Sequence, residues 1–326
     1  MVTRYQLLRH MADGRFYSGE ELAQTLRVTR AAVWKHLKHL REQQALEIHA
    51  VPGRGYRLAS QLELLDPERI LSFLSNGTAS RVASLEVHDS IDSTNSWLMQ
   101  QAAAGAPAGT VCIAEQQTAG RGRRGRQWVS PYGSNIYLSL LWRFTQAPMQ
   151  LSGLSLAAGI ATFQALRQLG VEGLGLKWPN DLLWDNRKLA GLLLEVAGEA
   201  SGPSLVVIGV GVNTHLPADQ AAPIDQPWVD LHKVPTGAGI SRNRLAGVLI
   251  QQLLEMLQRF GEHGLVPLIP EWNRHDVYLG RPVVLRSGNT EITGVHQGIT
   301  PDGALLLEQG TEVRAYHAGE VSLRGW

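Results

Sequence analysis

Apolar residues recur at helical spacing from the start of the chain, where Tyr5, Leu8 and Met11 share one side of a stretch from Arg4 to Ala12. A second helix is predicted after Ser18, which has Glu21 three positions on, as in a capping box, with Leu22 and Leu26 following. Arg27–Val28 reads as a turn, and Thr29 as the cap of a third helix running to about Arg41. That helix turns Val33, Leu37 and Leu40 inward and leaves Arg30, Trp34, Lys35 and Lys38 toward solvent. From Glu47 to Leu58, Pro52–Gly53–Arg54–Gly55 makes a tight turn between two short strands. A helix–turn–helix followed by a hairpin predicts a winged helix; the alternative is a small helical packing domain with solvated lysines.

The pattern changes around Gln61 to Pro67, with Asp66–Pro67 as the boundary. Strand-like runs (Gly109–Glu115, Asn135–Trp142, Leu205–Val212) then alternate with helical ones (Ser152–Leu169, Arg242–Phe260), which predicts an α/β or α+β domain. Beyond about Glu271 the chain is strand-rich: Val283–Leu285, Glu291–His296 and Ala304–Glu308, with turns at Gly288–Asn289 and Pro301–Asp302–Gly303. A small β-barrel fits. The predicted domains are 1–63, 66–270 and 271–326.

Charge sharpens this division. Residues 1–58 hold ten Lys and Arg against five Asp and Glu, although the whole chain of 326 residues is formally only +1. A basic end on a mildly acidic body points to nucleic acid contact through Thr29, Arg30, Trp34, Lys35, Lys38 and Arg54. Cys112 is the only cysteine, which excludes a disulfide framework and a cysteine-rich metal site. Met1–Val2–Thr3–Arg4 has no apolar stretch behind it and no run approaches membrane-spanning length, so a cytoplasmic protein with no membrane partner is expected.

Gly120–Arg121–Gly122–Arg123–Arg124–Gly125–Arg126 places four arginines in seven residues. It matches G-x-G-x-x-G, but Trp128–Val129–Ser130–Pro131 prevents the helix that a dinucleotide fold needs after it. Glycines admit a ligand close to the backbone and arginine forks grip phosphate or carboxylate, so an anion-binding loop, disordered by self-repulsion until an anion arrives, is expected; a nucleic-acid patch is the other reading. In Lys177–Trp178–Pro179–Asn180–Asp181, Pro179 forces a bend that presents Lys177, Asn180 and Asp181 together. Cation, carboxamide and carboxylate suit a nucleotide with Mg²⁺, and Lys188 stands at the mouth of the apolar run Leu189–Leu194; a surface ion-pair cluster is the plain alternative. Asp92–Ser93–Thr94–Asn95 and Gln117 offer short polar groups to a compact polar ligand, or a helix cap. Gly209–Val210–Gly211–Val212–Asn213 ends a buried strand with ligand-admitting glycines, and Asn213 is placed to meet phosphate or ribose.

In this order and spacing, these strings resemble the motif series of biotin–protein ligases, and the basic N-terminal helices are similar to those of the bifunctional members, the biotin operon repressors. The resemblance covers essentially the whole chain; residues 217–236 match poorly, and only Trp228 there is assigned, to the adenine. It implies an α+β multidomain fold: a winged helix-turn-helix, a central mixed α/β class II synthetase-like ligase domain and a C-terminal SH3-like β-barrel. It implies Ser93, Thr94, Asn95 and Gln117 on the ureido head of biotin, and Arg121, Gly122, Arg123 and Lys188 around its carboxylate. ATP falls to Arg121, Lys177, Asn180, Asn213 and Trp228; catalysis to Lys188, Arg123 and Asp181, the last as base or Mg²⁺ ligand. The implied partners are a biotin carboxyl-carrier protein, biotin operator DNA and a second copy of the chain once adenylate is bound. Lipoate-type ligases share the fold and acyl-adenylate logic but lack this arginine loop. A repressor with a dead enzyme domain is the rival from another class, and intact Arg123, Asp181 and Lys188 argue against it.

Overall fold

The structure is a computed structural model that describes residues 4–43, 46–59, 62–287, 290–318 and 321–325. The Gly288–Asn289 turn, Gln61 and Met1–Thr3 lie outside the described residues.

The N-terminal part is a winged helix. Helices α1 (Arg4–Met11), α2 (Gly19–Thr25) and α3 (Arg30–Gln43) precede strands β1 (Ile48–Val51) and β2 (Gly55–Leu58), which pair antiparallel. Ser18 closes the capping box on Glu21, and Thr29 Oγ1 accepts the N–H of Ala32 at 3.2 Å to start α3. Arg27 makes the turn in the left-handed region at φ 53°. Leu7, Leu8, Met11, Val33, Leu37 and Leu40 form the small core with Ile48 and Leu58. Leu7, not Tyr5, completes the buried side of α1; the Tyr5 ring stacks instead on Tyr132 of the central part, with centroids 5.4 Å apart. Arg9 pairs with Asp89 at 3.0 Å, so α1 docks on two loops of the central domain.

The central part follows as α4 (Pro67–Leu71), α5 (Asn76–Ala79), β3 (Ser84–His88), α6 (Thr94–Ala103), β4 (Thr110–Ala114), β5 (Ile136–Phe144), α7 (Leu154–Gln168), β6 (Leu174–Lys177), β7 (Asp181–Trp184), β8 (Arg187–Gly198), β9 (Ser204–Val212) and α8 (Arg242–His263). Its seven strands run in the order β3-β4-β5-β9-β8-β7-β6. Only β3–β4 is parallel; the other pairs are antiparallel. Side chains alternate across a pleated strand, and here the alternation divides two jobs. Ile136, Leu138, Leu140, Val206, Ile208, Val210 and Leu192 face α7 and α8 in the main core. Ser139, Gly209, Gly211, Gly191 and Glu195, on the opposite phase, face the side that carries α6. Helix α7 is buried nearly throughout, as its all-round apolar sequence requires, because the amphipathic α8 covers it from outside.

Helix α9 (Ile269–His275) leads into β10 (Pro282–Ser287), β11 (Thr290–Ile299), β12 (Leu305–Gln309), β13 (Glu312–Tyr316) and β14 (Val321–Gly325). The β-rich C-terminal unit expected from the sequence pairs as five antiparallel strands in the order β13-β12-β11-β10-β14, with β13 and β14 added to the strands read from the sequence. Val283, Leu285, Leu305, Leu307 and Leu323 join the central core. A buried polar pin reinforces that contact: Trp272 Nε1 and His296 Nε2 both donate to Asp276 Oδ2, at 2.9 and 2.8 Å. Gly298 N–H donates to His296 Nδ1, which leaves the proton on Nε2.

Candidate active site

A cavity of about 920 Å³ opens on the α6 side of the seven-stranded sheet, near the upper end of the roughly 300–1,000 Å³ typical of small-molecule sites. Its floor is a row of paired positions: Tyr137 of β5 opposite Gly211 of β9, Gly211 opposite Gly191 of β8, and Gly191 opposite Asp181 of β7. The next row pairs Ser139, Gly209 and Leu193. Glycine is needed there for side-chain room. A Cβ on Gly209 would lie 3.0 Å from Asn95 Cγ, and one on Gly211 would lie 2.6 Å from Trp128 Cζ2. The strand glycines of the sequence reading thus receive the Asn95 carboxamide and the Trp128 indole.

One end of the cavity is a buried hydrogen-bond array. Ser93 caps α6, accepting Ser96 N–H at 3.4 Å, and Thr94 and Asn95 are buried behind it. The helix-cap reading therefore holds, and the same residues line one end of the cavity. Gln117 Oε1 accepts from Thr94 N–H at 2.9 Å and Thr94 Oγ1 at 3.1 Å, while its Nε2 donates to Ser130 Oγ. Ser139 Oγ lies 2.7 Å from Thr94 Oγ1 and 2.6 Å from Asn95 Oδ1. Glu195 completes the array: it accepts from Asn95 Nδ2 at 2.8 Å and pairs with Arg121 at 2.9 Å. Glu195 was not singled out in the sequence, because only the pleat shows that it shares a face with Ser139 and Gly209.

The other end is charged. Lys188 Nζ and Asp181 Oδ1 form an ion pair at 2.7 Å, with side chains only 16% and 13% exposed. Asp181 Oδ1 is buried and has no hydrogen-bond partner beyond that charge contact among the described residues. A β-bulge sets this geometry. Leu182 pairs with Ala190 but Leu183 with Lys188, so β8 carries an extra residue at Leu189. Leu189 and Ala190 both enter the core, and Lys188 is turned to the cavity face. Lys177 ends β6 and Asp181 begins β7, so the hairpin turns at the cis Trp178–Pro179 bond as the Pro179 bend required. Trp178 Nε1 donates to Gly303 O at 3.0 Å, and Asn180 Nδ2 donates to Leu192 O at 2.6 Å.

The arginine loop is folded over the cavity. Two of its four arginines have partners here, while Arg124 and Arg126 are exposed. Arg121 takes Glu195; Arg123 donates to Asn180 Oδ1 at 3.2 Å and to the Ala318 carbonyl of the C-terminal sheet. Burial pushes the Arg123 guanidinium below its ordinary pKa, against the opposing pull of Asp181. No helix follows the loop, as expected. Trp128, read from sequence only as a helix breaker, lines the cavity with Lys188 Nζ 5.4 Å from its ring centroid.

The structure thus brings Ser93, Thr94, Asn95, Gln117, Arg121, Gly122, Arg123, Lys177, Asn180, Asp181 and Lys188 around one cavity. Asn213 and Trp228 do not line it. Asn213 is buried and donates to Val229 O at 3.1 Å, holding the 228–230 segment; Trp228 carries Lys233 Nζ at 4.1 Å from its ring centroid. Residues Pro223 to Pro227, just before Trp228, form that wall. Among the described residues no group of three or more His, Cys, Asp or Glu is placed to hold a metal ion.

On the winged helix, Arg30, Trp34 (57% exposed), Lys35 and Lys38 line the outer face of α3, and Arg54 at the wing turn lies 4.2 Å from the Phe16 ring centroid. Thr29, grouped with them in the sequence, is engaged as the α3 cap. No helix among the described residues is long and apolar enough to cross a membrane.

Comparison with known proteins agrees along the whole chain. Residues 87–213 match the model of the biotin/lipoate A/B protein ligase family, residues 278–324 that of the biotin protein ligase C-terminal domain, and residues 3–57 that of an HTH domain. The chain is 42% identical to the bifunctional ligase/repressor BirA of Escherichia coli (strain K12), over 98% of this chain and 96% of that one. It is 32% identical to the protein of the same description from Bacillus subtilis (strain 168), over 96% and 95%. Among solved structures, the biotin protein ligase from Aquifex aeolicus in complex with biotin and ATP matches with a TM-score of 0.64 at 27% identity, covering 75% of this chain and 100% of that one.

Proposed function

Since the chain belongs to the family of bifunctional biotin–protein ligase/repressors, we propose that it makes biotinyl-5′-AMP from biotin and ATP, transfers the biotinyl group to a lysine of a carboxyl-carrier protein, and represses transcription at a biotin operator. The observation that carries this reading is the joining, in one cavity, of the Ser93–Asn95–Gln117 hydrogen-bond array with the Lys188–Asp181–Arg123 cluster. The array suits a compact urea-like head, which both donates and accepts hydrogen bonds. The cluster suits the meeting of two anions.

A carboxylate is a poor acyl donor until it becomes an anhydride. Its oxygen attacks the α-phosphorus of ATP, and pyrophosphate leaves. Lys188 and Arg123 screen the repulsion between the reactants and stabilise the charge that develops on the phosphoryl oxygens. Part-burial in a low-dielectric wall strengthens both interactions. In the second half-reaction the acceptor lysine arrives protonated, and Asp181, held beside Lys188 at the cavity wall, takes that proton.

Mg²⁺ fits as a companion of the nucleotide. Asp181 is the carboxylate of the charged cluster, and Mg²⁺ is commonly held by one or two carboxylates together with substrate phosphates and water. Bound there, it would supply charge neutralisation on the phosphates.

The DNA surface is Arg30, Trp34, Lys35 and Lys38 of α3 with Arg54 of the wing, Thr29 serving as the cap that sets the helix. One winged helix offers little surface, so two copies brought together by adenylate binding would read a palindromic site. Incubation of the full chain with biotin, ATP, Mg²⁺ and a carboxyl-carrier domain, read by streptavidin blot, tests the ligase. Biotin on the acceptor is expected only when both substrates are present; an unlabelled acceptor would overturn the reading.

A further inference from the structure

The inner side of α3 is complete without its tryptophan: Val33, Leu37 and Leu40 fill the core of the winged helix. Trp34 is 57% exposed, on a face where Arg30, Lys35, Lys38 and Arg41 are exposed as well. Lys38 Nζ lies 5.5 Å from the ring centroid of Trp34 and 3.8 Å from Glu42, so the ring is flanked one turn further along the helix. A hollow of about 490 Å³ opens beside the ring, lined by Leu37, Lys38, Arg41 and Glu42 with Tyr56 of β2. Among the described residues no group accepts the indole Nε1–H. Phosphates are held by cations and hydrogen-bond donors. A large apolar ring set among those cations suits an apolar group on the same partner.

We propose that Trp34 reads a thymine in the operator, packing its ring on the C5-methyl group and donating its Nε1–H to O4. This deepens the reading of α3 as the DNA surface given above and rests on it. A recognition helix lies in the major groove, and its N-terminal residues meet the base edges. Trp34 stands one turn after Arg30, the first residue of α3, and so belongs to that part. In the major groove guanine shows two acceptors, adenine an acceptor and a donor, and cytosine a donor; thymine alone sets an acceptor beside an apolar group. Indole is the matching partner, a donor with no acceptor on a large apolar ring. The cations around it divide the work. Arg30, Lys35, Lys38 and Arg41 hold phosphates, which fixes register and affinity without reading sequence, while Trp34 discriminates between bases. Lys38, packed on the indole, also restricts its swing before DNA arrives.

The test uses the full-length protein with biotin and ATP, and a random duplex DNA library as the probe. Wild type should enrich a duplex with thymine at a symmetric pair of positions, and Trp34→Ala should lose the preference there while keeping it elsewhere. Replacing that thymine by deoxyuridine in the enriched duplex removes the methyl group and nothing else. Wild-type affinity should then fall about three- to fivefold, the worth of one buried methyl. Trp34→Ala should bind the thymine and deoxyuridine duplexes equally, and Trp34→Phe, which keeps an apolar ring, should recover part of the discrimination. Both variants should melt like wild type, because the side chain is outside the core. Trp34→Ala that weakens binding to every duplex by one factor would overturn the assignment, marking a contact to sugar and phosphate instead. Discrimination against deoxyuridine that survives in Trp34→Ala would overturn it too, and so would a lost preference for any base but thymine. If the wild-type protein enriches no sequence, the operator reading itself falls.

Discussion

Gly209→Ala should disable biotin binding through Asn95 while leaving the sheet intact. The new Cβ would lie 3.0 Å from Asn95 Cγ and closer still to its Oδ1, where ordinary contact begins near 3.4 Å. The carboxamide cannot simply swing aside, because three hydrogen bonds hold it: from Ser139 Oγ at 2.6 Å, to Glu195 at 2.8 Å and to Leu193 O at 3.2 Å. Each such bond contributes about 0.5–1.5 kcal/mol net, so losing two costs roughly 1–3 kcal/mol. That energy is shared between the fold and the ligand. A 1.4 kcal/mol loss is tenfold in affinity, so the Kd for biotin should rise by about ten- to a hundredfold, with a melting point lowered by a few degrees at most. Gly77→Ala, with nothing within 4 Å of the added carbon, is the control and should change neither. Calorimetric titration with biotin beside a thermal melt decides the matter. Wild-type affinity and stability in Gly209→Ala would refute the packing of Asn95 on Gly209 as the basis of the biotin pocket.

Lys188→Ala should slow adenylate formation on the order of 10²- to 10³-fold with the fold preserved, and pyrophosphate release at the normal rate would sink its role. Asp181→Asn should still form biotinyl-AMP but transfer it on the order of 10²-fold more slowly; single-turnover transfer at the wild-type rate would remove the base assignment. Arg30→Ala or Lys35→Ala should abolish operator binding and leave acceptor biotinylation intact, and a variant that still binds the operator like wild type would move the DNA surface elsewhere. Glu63 supplies a pH-dependent clamp on the linker between the winged helix and α8. Burial would raise its pKa, but hydrogen bonds from Asn243, Ser241 and the Arg242 N–H, with the nearby Arg69 charge, outweigh that and hold it below 4.5. A lowered acid contributes stability that is present above its unfolded value and is lost as pH falls through the folded one. Glu63→Gln should therefore flatten the acid limb of the unfolding midpoint below about pH 4.5, and an unchanged limb would contradict the clamp.

What could be read in the sequence was what short-range rules control. The Ser18–Glu21 capping box, the Arg27 turn, the Val33–Leu37–Leu40 face and the bend at Pro179 each depend on neighbours within a few residues. The long apolar runs became β5, β9, α7 and α8 with modest shifts at their ends. What escaped depended on pairing between distant strands. Lys188 was read at the mouth of its strand, but not the one-residue bulge against β7 that turns it to the cavity, nor the place of Glu195 in the hydrogen-bond array, which β8 takes by lying beside β9. Neither follows from periodicity along one strand. Asn213 was read as a ligand group from its place after a glycine-rich strand, but the 228–230 segment returns beside that strand and occupies its side chain. The partners of Arg121 and Arg123 in the arginine loop could not be read, because Glu195, Asn180 and the Ala318 carbonyl are remote in sequence and adjacent only in the fold.

On the proposed function, one cavity makes the adenylate that governs the DNA-binding end of the same chain. Operator affinity, measured by titration with the full-length protein in Mg²⁺ buffer at a fixed salt concentration, tests it most directly when repeated with no addition, biotin alone, ATP alone, and biotin with ATP. Both substrates together should tighten operator binding and make it cooperative in protein concentration, whereas either substrate alone should leave binding near that of the unliganded protein. The same operator affinity under all four conditions would contradict the account.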